Sequence, residues 1–205
     1  MNDDIFDDPE GSREEILAAT YQALHEYGYS DLTIQRIGDQ FDKSTSLLYY
    51  HYENKDELVL ETLEFLLDSF EAQFTANDIT EPREHLETFV EQMRSSSGEQ
   101  RHLETLLELR ARAIHDERYR RHFNRSDRIF ENYLSDVIAA GVESGEFRDV
   151  DPDAVAGALV MFFNGIVLRR STNDDEEKTS RATAEITAYL EHRLYPDAAS
   201  EPAHG

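Results

Sequence analysis

The chain has 205 residues, 39% of them hydrophobic, with 11 Phe and 10 Tyr, which is enough to bury a sizeable core in one or two domains and excludes disorder throughout. It has no cysteine, which excludes disulfides and thiolate metal sites. Its net charge of -24, from 44 acids against 20 lysines and arginines, argues when taken alone against a nucleic-acid partner, because phosphate contact favours basic surface.

The opening MNDDIFDD lacks the basic and apolar regions of a secretory signal, so a cytoplasmic location is expected. Ser12 and Glu15 read as an S-x-x-E capping box. Ile16, Leu17, Thr20, Leu24 and Tyr27 follow as an inward helical stripe, and Gly28 supplies the stop. Thr33 caps a helix from Ile34 to Phe41, with Ile34, Ile37 and Phe41 on one face. Ser44 is a second cap, so the helix Thr45 to His51 begins almost at once, and two helices joined so tightly cross steeply. Asn54 and Glu57 form a capping-box variant ahead of Val59, Leu60, Leu63, Leu66, Leu67 and Phe70 at helical spacing. Two short helices followed by a long third one are the layout of a helix-turn-helix DNA reader.

Helical periodicity then continues without strand-like alternation, predicting helices over 54–76, 82–95, 99–115, 117–144, 152–170 and 176–194. The expected fold is all-α with about nine helices. A helix-turn-helix domain over 1–53 is expected to precede a second helical domain over 54–195, and 196–205 is expected to be a disordered tail. The apolar run from Ala154 to Leu168 has 15 residues, short of the roughly 20 that span a bilayer, and reads as a buried helix rather than a membrane segment.

Thr33, Ile37, Ser44, Leu48, Tyr49, Tyr50, Tyr52, Lys55 and Leu58, at these spacings, closely resemble the DNA-binding domain of the TetR family of transcriptional regulators. The family's turn usually has a glycine and then a valine where this chain has Asp42 and Lys43, and aspartate tolerates the left-handed backbone such a turn needs. Gly38 and Ser46 keep two further positions small, as the family does. Residues 99–170, from LLELRARAIHDERYRRHF to GEFRDVDPDAVAGALVMFFNGIVL, are similar to the C-terminal domain of the BetI-like branch.

The resemblance recasts the charge. Only three of the twenty basic residues are lysines, an arginine-rich, acid-heavy balance similar to proteins of extreme halophiles, and Lys43 and Lys55 fall inside the helix-turn-helix segment. Residues 31–58 hold six acids against three bases, less acidic than the chain average but not basic. At about 1 M salt the Debye length is roughly 3 Å, so diffuse repulsion from DNA is largely screened while touching contacts survive.

From spacing on the recognition helix, Thr45, Ser46, Leu47 and Tyr50 are expected to read base edges. Thr33, Gln35, Arg36, Tyr49, His51 and Lys55 are expected to meet phosphates, with an inward ring as the alternative for Tyr49, and Ser44 completes the DNA-binding set. The family implies a dimer made by the last two helices. Val155, Leu159, Phe163, Ile166 and Val167, with Ile186, Tyr189, Leu190 and Leu194, are the expected interface, and filling of a monomer core is the alternative. A dimer implies a palindromic operator.

The family also implies a small effector in the C-terminal domain. Phe65, Phe70, Phe89, Met93, Phe130, Tyr133, Met161 and Phe162 could line its pocket, against the alternative of plain core. Arg110, Arg112 and Asn164 are candidate polar handles for it, against the alternative that both arginines lie in a solvated face or pair with Glu104 and Glu108. Glu99 and His102 form a lone E-x-x-H pair, read as a solvated helix end. With no catalytic or phosphate-loop motif, neither enzyme activity, metal nor cofactor is expected. The expected function is a ligand-responsive repressor that binds double-stranded operator DNA as a homodimer. The alternative is an all-α module that kept the head fold but binds a ligand or protein without DNA.

Overall fold

The computed structural model describes residues 6, 9, 11–41, 45–76, 79–94 and 100–196. The described residues form nine helices and no strand: α1 (Ser12–Asp31), α2 (Ile34–Asp39), α3 (Thr45–His51), α4 (Lys55–Ala76), α5 (Pro82–Arg94), α6 (Gln100–Arg112), α7 (Glu117–Ser144), α8 (Pro152–Thr172) and α9 (Glu176–Leu194). The helix bounds agree with the periodicity to within a few residues at each end. Ser44, Asp42, Lys43, Glu99 and the expected tail beyond Pro196 lie outside the described residues, as do the side chains of Thr45, Met93 and His102.

The chain packs as two compact units, Met1–Ala76 with Gly98–Ser126, and Asn77–Ser97 with Asp127–Gly205. The division does not follow the expected boundary at residue 53, because α4 and α6 pack on α1 and α7 contributes to both units. In the first unit, Ile16, Ala23 and Leu24 of α1, Ile37 of α2, Leu48 of α3, Tyr52 just after it, and Leu58 and Val59 of α4 bury one core with Leu109, Tyr119 and Phe123. The second core joins Leu86, Leu134, Val137 and Ile138 to Val155, Leu159 and Ile166 of α8 and Leu190 and Leu194 of α9.

Two sequence expectations change at helix ends. The N-cap of α1 falls one residue before the expected Ser12. The N-cap of α1 is Gly11 at φ 96, its carbonyl accepts from the Glu15 amide at 3.1 Å, and Ser12 is already helical. At the other end Gly28, with φ 71 and ψ 167, does break the helix, a conformation that glycine adopts without strain.

α8 has 21 residues, long and apolar enough by length and composition to cross a bilayer, which the 15-residue run understated. One side of it, with Val155, Ala156, Leu159, Val160, Ile166 and Val167, is packed into the second unit. The inward face of α9 differs from the expected stripe. Thr179, Thr183 and Thr187 are buried with Leu190 and Leu194, whereas Tyr189 is 59% exposed. The threonines bury because each hydroxyl donates to the carbonyl four residues back, for example Thr183 to Thr179 at 2.9 Å and Thr187 to Thr183 at 3.0 Å, leaving only methyl groups to pack.

Candidate nucleic-acid interface

α2 starts where the sequence places it. Thr33 is extended (φ -136, ψ 156), and its hydroxyl accepts from the Arg36 amide at 3.2 Å. Ile37 and Gly38 are buried, and Phe41 closes the turn with its amide donating to the Gly38 carbonyl at 3.2 Å. Leu48 of α3 is fully buried and the ring of Tyr52, the residue after its end, is buried, so the helix is anchored on one side and at its C-terminus. Burial and a hydrogen bond to Glu61 push the Tyr52 phenol up, and Glu61 is also paired with Arg13 of α1, so α3, α4 and α1 are tied through one carboxylate.

The other side of α3 is open. Tyr50 is 82% exposed and Tyr49 60% exposed, Ser46 and His51 are exposed, and the His51 ring stands edge-on to Tyr50 with centroids 5.0 Å apart. Tyr49 thus points outward, which excludes the inward core ring. Leu47, expected at a base edge, is half-buried against the core. Gln35 is exposed on α2.

The two basic residues are partly engaged. The Arg36 guanidinium donates to the Asp31 carbonyl and lies 4.6 Å from the Tyr27 ring centroid. Lys55 donates to the carbonyls of Tyr29 and Leu32, both at 3.0 Å, and sits 4.3 Å from the Tyr29 centroid, which leaves one of its three N–H groups for an outside partner. α4 opens as expected on Asn54, whose side chain accepts from the Glu57 amide at 3.2 Å. Glu57 reaches back one residue further than a capping box, to the Glu53 amide at 2.9 Å.

A polar cluster that sequence reading missed lies behind this face. Asp56 accepts from the Tyr29 hydroxyl at 2.5 Å and from Arg112 at 3.2 Å. Burial, reinforced by Asp56, pushes the Tyr29 phenol up to about 12, and burial pushes Tyr119 up as well. Arg112 therefore pairs with Asp56 rather than with Glu104 or Glu108, and Glu108 instead accepts from the amides of Tyr29 and Ser30. These partners are 27 to 79 residues apart in sequence, so no local pattern links them.

Residues 16–62 match the model of the bacterial regulatory proteins of the tetR family, and residues 82–194 match the C-terminal domain of BetI-type transcriptional repressors. The crystal structure of a TetR transcription regulator from Haloarcula marismortui ATCC 43049 is 34% identical, with a TM-score of 0.74 over 89% of this chain and 97% of that one. This chain belongs to the TetR family of transcriptional regulators. It is also 24% identical over 173 residues to the HTH-type transcriptional repressor AcnR of Corynebacterium diphtheriae, covering 82% of this chain and 86% of that protein. A putative regulator from Saccharomonospora viridis in complex with choline shares the fold at 22% identity, with a TM-score of 0.73 over 90% of this chain and 97% of that one. Membership of the TetR family makes the helix-turn-helix head a DNA-binding element and the protein a transcriptional regulator rather than a module that has lost DNA.

The residues expected in an effector pocket fall into both units. Phe65 stacks on Phe6 at 5.4 Å, Phe70 stacks on Phe74 at 6.4 Å, and Arg110 lies 4.7 Å from the Phe123 centroid, all in the first unit. Phe89, Phe130, Tyr133, Phe162 and Asn164 are half-buried in the second unit, where Phe89 meets Phe163 at 5.9 Å and the Tyr133 hydroxyl meets His85 Nδ1 at 2.6 Å. Met161 is 73% exposed and cannot line an internal pocket of the second unit. Of the expected dimer residues, Val155, Leu159, Ile166, Val167, Leu190 and Leu194 are buried within that unit, Phe163 and Ile186 are half-buried, and Tyr189 faces out. The exposed stripe of α8 is instead Ala154, Met161, Gly165 and Leu168.

Proposed function

We propose that this TetR regulator is a homodimeric, effector-responsive repressor that reads a palindromic operator with α3. The observation that carries the reading is the division of α3, with Leu48 buried as an anchor, Tyr52 buried just past its end, and Tyr49 and Tyr50 exposed on the opposite side. A short helix held on one side and presenting hydroxyl-bearing side chains on the other suits a major groove. Thr45, Ser46 and Tyr50 take base edges, and Thr33, Gln35, Tyr49 and His51 take phosphates together with Ser44. Arg36 and Lys55 act mainly by holding the end of α1, and Lys55 adds at most a single outward N–H to the DNA backbone, whereas Arg36 has further guanidinium N–H groups to offer. Leu47 reads only through its edge.

The dimer forms through the outer sides of α8 and α9. Met161, Leu168 and Tyr189 supply an exposed apolar strip, and Gly165 leaves open space for a close approach of a second copy. The effector site belongs to the second unit, with Phe89, Phe130, Tyr133 and Phe162 as its apolar side and the Tyr133–His85 pair as its polar one. The acidic, lysine-poor surface suits a cytoplasm of high salt, where operator contacts at touching distance outlast counterion effects, so the affinity falls only shallowly with added KCl.

Selection of bound sequences from random duplex DNA by the full-length protein in about 2 M KCl, where the Debye length is roughly 3 Å or less, tests the reading. An enriched palindrome with half-sites about one helical turn apart is expected. No enrichment from protein shown to be folded and dimeric would overturn it.

A further inference from the structure

Arg112 stands where four helices of the first unit meet. Its guanidinium donates to Asp56 of α4 and lies over two rings, 4.5 Å from the centroid of Tyr29 in α1 and 5.1 Å from that of Tyr119 in α7. The two rings are edge to face with centroids 6.5 Å apart, and the Tyr119 hydroxyl also reaches Asp56 at 3.4 Å. A planar cation thus fills a cage of two tyrosines and a carboxylate, a site that favours the stacking of arginine over the point charge of lysine.

The same end of α6 grips α1 a second time. Where Gly28 breaks α1, the freed amides of Tyr29 and Ser30 donate to Glu108 at 3.0 and 3.3 Å, one turn before Arg112. Lys55 holds the carbonyls of Tyr29 and Leu32 from the start of α4. Thr33, the cap of α2, follows Leu32 directly, so the seating of α2 is fixed by what holds residues 29–32.

The Arg112 seat is weak by comparison with its neighbour. It has one hydrogen bond to Asp56, and its Nε is buried without a partner, which is costly for a donor. Arg125 of α7, in contrast, contacts three carboxylates of α4, Glu64 at 2.8 Å, Asp68 at 2.6 Å and Glu71 at 2.5 Å. At these two arginines α7 is tied to α4 by three carboxylates, and α6 to α4 by one, with the two stacked tyrosines joining α1 and α7 to the same seat.

We propose that Arg112 is a positioning residue for DNA reading, whose stacking in the Tyr29–Tyr119–Asp56 cage acts with Glu108 and Lys55 to set the end of α1 and the start of α4, and through them the orientation of α2 and α3. The proposal rests on the reading of the protein as a DNA-binding dimer. The test compares R112Q and R112K with wild type, in the full chain, by three readouts. These are affinity for the selected operator, pulsed spin-label distances between two copies labelled at D39C, and amide exchange of residues 34–41. The chain has no native cysteine to interfere with the label.

R112Q is expected to broaden the inter-head distance distribution, speed exchange in α2 and weaken operator binding about tenfold, with dimerisation unchanged. R112K, which keeps the charge but not the stacked plane, is expected to fall between. Wild-type distances, exchange and affinity in R112Q would overturn the proposal, and if R112Q does not fold, wild-type values in R112K would do so. A wild-type protein that enriches no operator and shows no inter-copy distance would instead overturn the dimeric repressor reading. Exchange in α2 then still decides the role of Arg112, since that readout needs neither DNA nor a dimer.

Discussion

α3 and α8 solve opposite versions of one problem. Each buries one side and exposes apolar or aromatic groups on the other, yet α3 has 7 residues and α8 has 21. In α3 the exposed groups are tyrosines, rings that end in a hydroxyl and are comfortable in water. In α8 they are methionine, leucine and small residues, which gain only when another apolar surface covers them. In the proposed reading, the kind of exposed apolar group, more than its amount, separates a face for nucleic acid from a face for a second copy.

The largest effects should come from the buried sides, where the two helices ought to behave alike. Leu48→Ala and Leu159→Ala each remove a fully buried side chain and should cost about 2–5 kcal/mol, read by denaturant unfolding. A loss below about 1 kcal/mol at either site would mean that the helix is not anchored there.

The exposed sides should then diverge. Tyr50→Ala should leave unfolding within about 0.5 kcal/mol of wild type but cost about 1–3 kcal/mol of operator binding, measured by fluorescence anisotropy. Met161→Asp should likewise leave the unfolding of the monomer within about 0.5 kcal/mol, while sedimentation shows a shift from dimer to monomer. A normal operator affinity for Tyr50→Ala, or a persistent dimer for Met161→Asp, would collapse the distinction between the two faces.

The smallest effect concerns how α4 is held beneath the head. Burial pulls the His122 imidazole down, although Glu64, 3.1 Å from Nδ1, favours its charged form, and Arg125 and Arg110 oppose it. With the folded value below the unfolded one, His122 contributes stability above about pH 6.5 that is lost as the pH falls through the folded value. Unfolding midpoints at about pH 7 and pH 5 should therefore converge in His122→Gln relative to wild type. An unchanged pH dependence would place the acid sensitivity elsewhere.

Much of the head was legible because its signals are local. Thr33 capping Arg36, Asn54 capping Glu57 and the break at Gly28 lie within four residues of what they control, and the apolar spacing of Ile37, Leu48 and Leu58 carries their burial. Lys55 was visible as a cation, but its engagement with the carbonyls of Tyr29 and Leu32 depends on how α1 meets α4. The Asp56 cluster was not visible, since its tyrosines and arginine come from three other helices.

The sequence by itself determined nine helices, their ends to within a few residues, the helix-turn-helix head and the family, because caps, breakers and helical periodicity act over one or two turns. Only the tertiary structure decided which side of each later helix turns inward. α8 is apolar nearly all round, so its pattern leaves its orientation open, and α9 buries threonines whose hydroxyls are satisfied by their own helix. Such residues look polar in a sequence and pack as apolar ones, and the choice between faces is made by the neighbouring helices.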